Sequence, residues 1–567
     1  MKRAPARFGL VALLVAWAVD LLFWQKAPGL SFPLWVALAL IGCLLLAGSL
    51  KVRLSKYSLG LIAATLIFAS LTFLRREAFT QFISVLLCFF SLVLLAATFQ
   101  TGNWFYYKIE DYLKAGGKLL LAWLIRPADL LSPVTPVQSP ALLQIAVIEI
   151  SAVGASGAEA VLVSGPTPQL PPTPQRTPAI ETSRSRAAAQ SLPVIRGLFL
   201  ALPVVLVLGS LLASADPIFN NWVRDLFKNF DGAHLPEYLY RLMYIVIIAY
   251  GLTGTYLHAI CPSQVEARPT PGQRWFAPFL GWVETVIVLG AVNLLFIVFV
   301  AIQFWYLFGG QANISTSGFT YSEYARRGFN ELVAVALLSL LLYLGLATIT
   351  KQETALHRTS LVVLNVLLIA QVLVILVSSF SRLTLYENAY GFTQLRTYTH
   401  IFILWLGGLL ALTIGLELIR RRDRFALAAL LVCFGFGLTF GLLNVDGFIA
   451  SQNIQRAWTG GKLDGQYLTM LSDDAVPVLV EEVRRANQPA AVREIIGAEL
   501  ACRDAAFQEN GVSDSWLSYN LSQANAAELL RSNRTLWQAY PVQSNDLGRV
   551  AVLPIGNHNC QGIQNID

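Results

Sequence analysis

The side chains best suited to chemistry lie in the run 379–396, where Arg382, Tyr386, Glu387, Tyr390, Thr393 and Arg396 sit between two long apolar segments. A guanidinium is a planar fork that fits phosphate or carboxylate, and tyrosine brings an amphipathic ring to a membrane interface. Two further runs have the same character: 320–329 with Tyr321, Glu323, Tyr324, Arg326 and Arg327, and 444–456 with Asn444 and Asp446. A fourth polar turn contributes Asp216. Together they suggest one polar site in which Arg326, Arg327, Arg382 and Arg396 hold an anionic headgroup, balanced by Glu323, Glu387 and Asp446. The competing reading is that these arginines pair with those carboxylates and stitch helix ends together.

The usual catalytic signatures are missing from the sequence. It has no His-Glu-x-x-His, no Gly-x-Ser-x-Gly and no phosphate-binding loop of the Walker type, since Gly116-Gly117-Lys118 lacks the upstream glycine and the following Ser or Thr. No cysteine spacing suits a zinc site, and no nucleic-acid recognition module is present. We therefore expect no catalytic residue, no metal, no cofactor and no nucleic-acid partner.

The elements that position these residues are read from hydropathy. At 13% charged residues and a mean hydropathy of +0.58, the chain carries about half the charge of a soluble domain. Its continuous apolar runs indicate an all-α, polytopic membrane protein rather than a β-barrel. About eleven transmembrane helices are expected, near 8–23, 30–50, 58–73, 78–97, 193–213, 240–260, 281–308, 329–349, 361–380, 399–418 and 425–443. The run 8–23 follows Lys2, Arg3 and Arg7 but lacks a convincing cleavage site, so it reads as a retained span. Lys51, Arg53, Lys56 and Arg420 to Arg424 then share its side, which the positive-inside rule makes the cytoplasm; Arg75 and Arg76 break the pattern. The N-terminus is thus expected inside and the C-terminus outside, and the net charge of +7 is a topology signal.

Four regions follow: an N-terminal membrane region at 1–127 with about four spans and an interfacial segment, a Pro-rich flexible cytoplasmic linker at 128–192, a membrane core of about seven spans at 193–446, and a small exported helical domain at 447–567. Within the linker, 141–164 is apolar enough to compete as a span, but Glu149, Gly154, Gly157 and Glu159 weaken it. Asp216 followed by Pro217 reads as the N-cap of a helix lying in the outer interface. Glu284, Asn293 and Gln303 are polar groups inside one apolar run, the kind of placement that marks a transport path. Cys502 and Cys560, alone in the exported tail, are expected to form a disulfide.

Several of these stretches resemble a known family. Ser214-Ala-Asp-Pro-Ile-Phe219, Gln303 to Gly310, Tyr321 to Phe329, Arg382 to Tyr386 with Tyr390-Gly-Phe-Thr393, and Asn453-Ile are similar to a bacterial polytopic membrane family, the domain of unknown function numbered forty-one seventy-three. The resemblance runs from about 195 to about 480. It implies a bacterial inner-membrane protein and supplies no activity.

The expectation is an envelope-associated binding or assembly component with a polar site at its outer face. Its partners would be membrane lipids, an anionic lipid or glycan precursor, and other envelope proteins. The alternatives are a secondary transporter using Glu284 and an envelope transferase with Glu323, Glu387 or Asp446 as base.

Overall fold

The computed structural model describes residues 4–129, 205, 208–209, 211–212, 214–221, 235–261, 278–308, 329–511, 515–545, 548–553 and 556–560. The chain divides into two units, one of Met1–Arg126 with Ile245–Asp567 and one of Pro127–Tyr244. Among the described residues nine helices are long and apolar enough to cross a membrane, the pattern of an α-helical polytopic membrane protein. The expected linker from 130 onward and most of the expected span at 193–213 lie outside the described residues.

In the first unit, α1 (Ala4–Phe23), α2 (Ser31–Ser49), α3 (Lys56–Leu74) and α4 (Ala78–Thr98) pack consecutively. A 19-residue helix such as α3 rises about 28 Å, close to the thickness of a bilayer's hydrocarbon. The helix α5 (Ile109–Asp129) follows, and its Trp123 lies against the glycines at 251 and 254 of α6 (Leu235–Ile260).

A second group comprises α7 (Trp282–Phe308), α8 (Phe329–Ile349), α9 (Ala355–Tyr390) and α10 (Gln394–Leu418). Here α9 is central, touching the other three around Leu368, Val372, Leu376 and Leu383. The helix α11 (Phe425–Leu442) joins the groups, packing on α3, α4 and α10. Its glycines at 437 and 441 let Leu87 and Leu71 approach its backbone.

The run 379–396 is not the loop expected between spans. Helix α9 continues through Tyr390, so its 36 residues rise about 54 Å, far beyond a single bilayer crossing. Ser379, Arg382, Leu383 and Glu387 are buried at helical spacing, so polar groups occupy positions an apolar scan reserves for Leu and Val. The turn itself is only three residues, 391–393.

The remaining chain forms α12 (Val445–Trp458), α13 (Gly465–Thr469), α14 (Val476–Arg484), α15 (Ala490–Asn510) and α16 (Leu521–Ser532). It is not purely helical. Strands β1 (Val542–Asn545), β2 (Gly548–Leu553) and β3 (Gly556–Asn559) make an antiparallel meander, with Val542 opposite Ala551 and Val550 opposite Asn559. Ala551 and Cys560 pack on Ala498 and Cys502 of α15, and Cys502 and Cys560 are disulfide-bonded. The expected boundary at 446/447 cuts α12. One apolar cluster runs from Ile401 and Phe440, at span ends, through Ile449, Leu479 and Ile496 to Trp537. The C-terminal part therefore shares its core with the spans.

Lys51, Arg53 and Lys56 flank the ends of α2 and α3 that lie toward 99–108, and Arg424 stacks over the rings of Phe105 and Tyr106. Arg75 and Arg76 lie at the opposite end, beside Asp474.

Candidate functional site

At that opposite end, two of the sequence runs close on one another. Gly391 ends α9 at φ +87° and ψ 169°, a conformation that side-chain-bearing residues rarely adopt. Asn453 of α12 clasps the next residue, its Oδ1 accepting from Phe392 N at 2.7 Å and its Nδ2 donating to Phe392 O at 2.9 Å. Arg456 donates to the Ala389 and Lys462 carbonyls. Arg396 donates to the Gly391 carbonyl and lies over the Tyr386 ring, 4.1 Å from its centroid. A Cβ at position 391 would stand 2.8 Å from Asn453 Oδ1 as well as straining the backbone. Gly391→Ala is therefore expected to lower stability by about 1–3 kcal/mol, seen as a reduced melting temperature of the purified chain; an unchanged melt would mean the clasp is dispensable.

A layer of buried carboxylates lies beside the clasp. Asp446, fully buried, accepts from Gln394 Nε2 at 2.8 Å and from Ser472 N at 2.7 Å. Burial pushes its pKa up, the bonds from Gln394 and Ser472 oppose this, and the nearby Glu77 adds to it. The Tyr467 hydroxyl accepts from Gln394 N at 2.7 Å, fixing the start of α10. Glu77 caps α4, accepting from Phe79 N, Thr80 N and the Tyr398 hydroxyl. Asp474 Oδ2 accepts from Arg76 N at 2.8 Å and Glu77 N at 2.9 Å. Asn444 caps α12 through Gly447 N and donates to the Asp474 carbonyl.

A family described as Domain of unknown function (DUF4153) matches residues 62–482. The chain belongs to the DUF4153 family. This corrects the expected family, numbered forty-one seventy-three: short Arg, Tyr and Asp motifs between apolar helices do not separate one such family from another. The DUF4153 match also begins well before the expected 195, taking in Glu77 and most of α3. It ends before α15, the disulfide and the sheet. No curated protein and no solved structure matches the chain.

Within the DUF4153 match, the remaining expected residues separate. Arg382 Nη2 donates to Gln303 Oε1 at 3.0 Å, an atom that also accepts from Ser378 at 2.9 Å, so these groups join α7 to α9. Glu387, 1% exposed, meets His400 Nδ1 at 2.9 Å, and His400 Nε2 lies 3.3 Å from Thr384 Oγ1. Asn293 Nδ2 donates to the Leu289 and Leu364 carbonyls, again between α7 and α9. Glu284 stands exposed in the first turn of α7. Thr393 precedes α10 as its N-cap residue without a side-chain capping bond, and Tyr390 is half exposed. Tyr321, Glu323, Tyr324, Arg326 and Arg327 lie outside the described residues. Asp216 belongs to the Pro127–Tyr244 unit, where its Oδ1 accepts from Ile218 N at 2.8 Å in the manner of an N-cap.

Sequence reasoning missed Glu77, Tyr398, His400, Tyr467 and Asp474. One signal was available: Arg75 and Arg76 violated the charge pattern, and a cation on the wrong side of a membrane needs local partners. Arg75 has them in the Gly441 and Leu442 carbonyls and Asp474.

Proposed function

We propose that this DUF4153 protein is an envelope-associated binding or assembly component of a bacterial inner membrane, with its working surface at the end bearing 389–396 and 444–474. Its N-terminus would lie inside and its C-terminal part outside. The observation that carries this reading is the hydrogen-bonded layer of Glu77, Asp446, Asp474, Gln394 and Tyr467, which ties span ends to the C-terminal part. A hydrogen-bonded, polar end with exposed Tyr390 and Leu395 suits holding a ligand at the membrane surface. An anionic lipid, a glycan precursor or another envelope protein fits that description.

The alternatives have weaker support. Asn293 and Gln303, named for a transport path, bond to α9, and Glu284 sits at a helix start. Of the carboxylates named for a transferase, Asp446 is bonded on both oxygens and Glu387 is engaged by His400.

Native mass spectrometry of the chain extracted gently from its own membrane tests the binding reading. A discrete envelope lipid, glycan-lipid or protein should remain on the parent and be lost from Tyr390→Ala. A bare chain in both cases would overturn it.

A further inference from the structure

Where α3 ends, the chain builds a small cleft. Leu74 and Arg75 form one wall, Asp474 the floor, and Leu521, Ser522 and Asn525 of α16 the other wall, around about 170 Å³. Local sequence explains the position of each. Asn520 caps α16 through Gln523 N and donates to the Thr72 and Arg75 carbonyls, which holds α16 against the end of α3. Asp474 sits in the short 3-10 turn Asp473–Ala475 before α14, where its Oδ2 is bound by two backbone N–H groups and lies 3.2 Å from Ser472 Oγ.

The other oxygen of that carboxylate is different. Asp474 is 3% exposed, yet among the described residues its Oδ1 has no hydrogen-bond donor; Arg75 Nη1 forms an ion pair with it at 3.7 Å, beyond hydrogen-bond reach. Arg75 is held there by its Nε and Nη2, which donate to the Gly441 and Leu442 carbonyls at 3.1 and 3.2 Å. A carboxylate oxygen withdrawn from water without a donor is costly, and such groups in native proteins call for a partner. The Arg75 charge thus stands beside Oδ1 without bonding it, which leaves the floor short of a donor and gives an anion a place at Arg75.

Membrane level narrows the ligand further. Leu74 is the last residue of α3 and Leu442 the last of α11, so the cleft opens where two spans end. Leu442 is 72% exposed and Leu521 44%. An apolar rim at that depth suits a molecule whose chains stay in the bilayer while its head enters the cleft.

We propose that this cleft binds a primary-ammonium phospholipid headgroup, with the ammonium on Asp474 Oδ1 and the phosphate beside Arg75. An ammonium has three donors and a trimethylated choline has none, so the site distinguishes two heads of similar charge. This rests on the reading above that this end of the chain holds an envelope ligand, and adds a zwitterionic head in a cleft that Tyr390 does not line. The two fail separately: a different lipid found on the native chain would leave that reading intact and remove this one.

The test presents the full purified chain with equimolar dioleoylphosphatidylethanolamine and dioleoylphosphatidylcholine and counts retained lipid by native mass spectrometry. Retention of the ethanolamine lipid should exceed that of the choline lipid by about tenfold or more. Ser522→Trp, which fills the cleft from its wall and leaves the Asp474 bonds in place, should abolish the preference while keeping the parent's melting temperature. Asp474→Asn is the less decisive variant because its carboxylate also anchors the backbone at 76 and 77. Equal retention of both lipids by the parent would mean that water fills the cleft, and a preference surviving Ser522→Trp would place the selectivity elsewhere; either overturns the proposal. Displacement by free phosphoethanolamine would mark the headgroup as sufficient, and its failure would mark the intact lipid as the ligand; the proposal holds in both cases.

Discussion

Arg503→Met should destabilise the C-terminal part by about 3–5 kcal/mol, the cost of removing one partner from a buried ion pair. The Arg503 side chain is 3% exposed and that of Glu499 is fully buried, with Nε to Oε1 at 2.6 Å. The same guanidinium donates to the carbonyls of Leu468, Leu471 and Ser472 at 3.0, 2.7 and 3.3 Å. It therefore closes the whole 468–472 turn onto α15, and that turn supplies the Ser472 amide to Asp446. His558 Nε2, 3.2 Å from Glu499 Oε2, ties the same carboxylate to β3. Methionine fills the volume but leaves a buried charge and several carbonyls without donors. Arg503→Lys should recover little, because a single ammonium has three donors where one carboxylate and three carbonyls are to be met. The double variant Arg503→Met with Glu499→Gln should recover part of the loss, since the uncompensated charge is gone. Thermal unfolding followed by tryptophan fluorescence measures all three, and a single variant melting with the parent would refute the account.

The spans were legible because a bilayer imposes one crude rule, a run of apolar residues of sufficient length. The helical continuation through Ser379, Arg382 and Glu387 was not, because the same rule reads buried polar residues as a break. Only the partners make those positions interior: Gln303 for Arg382 and His400 for Glu387. The pairing of 389–394 with 446–456 was foreshadowed by charge-based topology, which put both runs at one end. Its chemistry was hidden, because Asn453 bonds to backbone atoms that every sequence has. Glu77 was invisible for a related reason. It lies more than three hundred residues from Tyr398 and Asp474, and nothing local in α4 marks it as more than a cap. Of the arginines named as a headgroup clamp, Arg382 bonds the Gln303 amide and Arg396 the Gly391 carbonyl, neither of them one of the carboxylates that the stitching reading named. The sheet escaped notice because its strands are 4, 6 and 4 residues long and carry Asn, Gly and Ser. Alternation that short does not stand out in a helix-forming tail.

Cys502→Ser should cost the C-terminal part about 4 kcal/mol, the loop-closure value for the 58-residue separation between Cys502 and Cys560. Cys560 follows β3 directly, so the bond pins the far edge of the meander to α15. Without it the sheet is held chiefly by Ala551, Val542 and Leu553 packing around Ala498, together with the His558 contact to Glu499. Such a thin apolar contact would open well before the larger core around Leu479 and Ile496, so proteolysis should clip the variant near the sheet first. The parent should also migrate differently on reducing and non-reducing gels, a shift absent from Cys502→Ser. That shift decides more than stability, because disulfides persist in oxidising compartments and are rare in the cytosol. A parent isolated under thiol-blocking conditions with both cysteines free would put the C-terminal part on the reducing side and reverse the orientation proposed from the basic end. The bonded form would put the carboxylate layer, the clasp at Gly391 and the cleft at Asp474 on the outer face, where an envelope ligand would meet them.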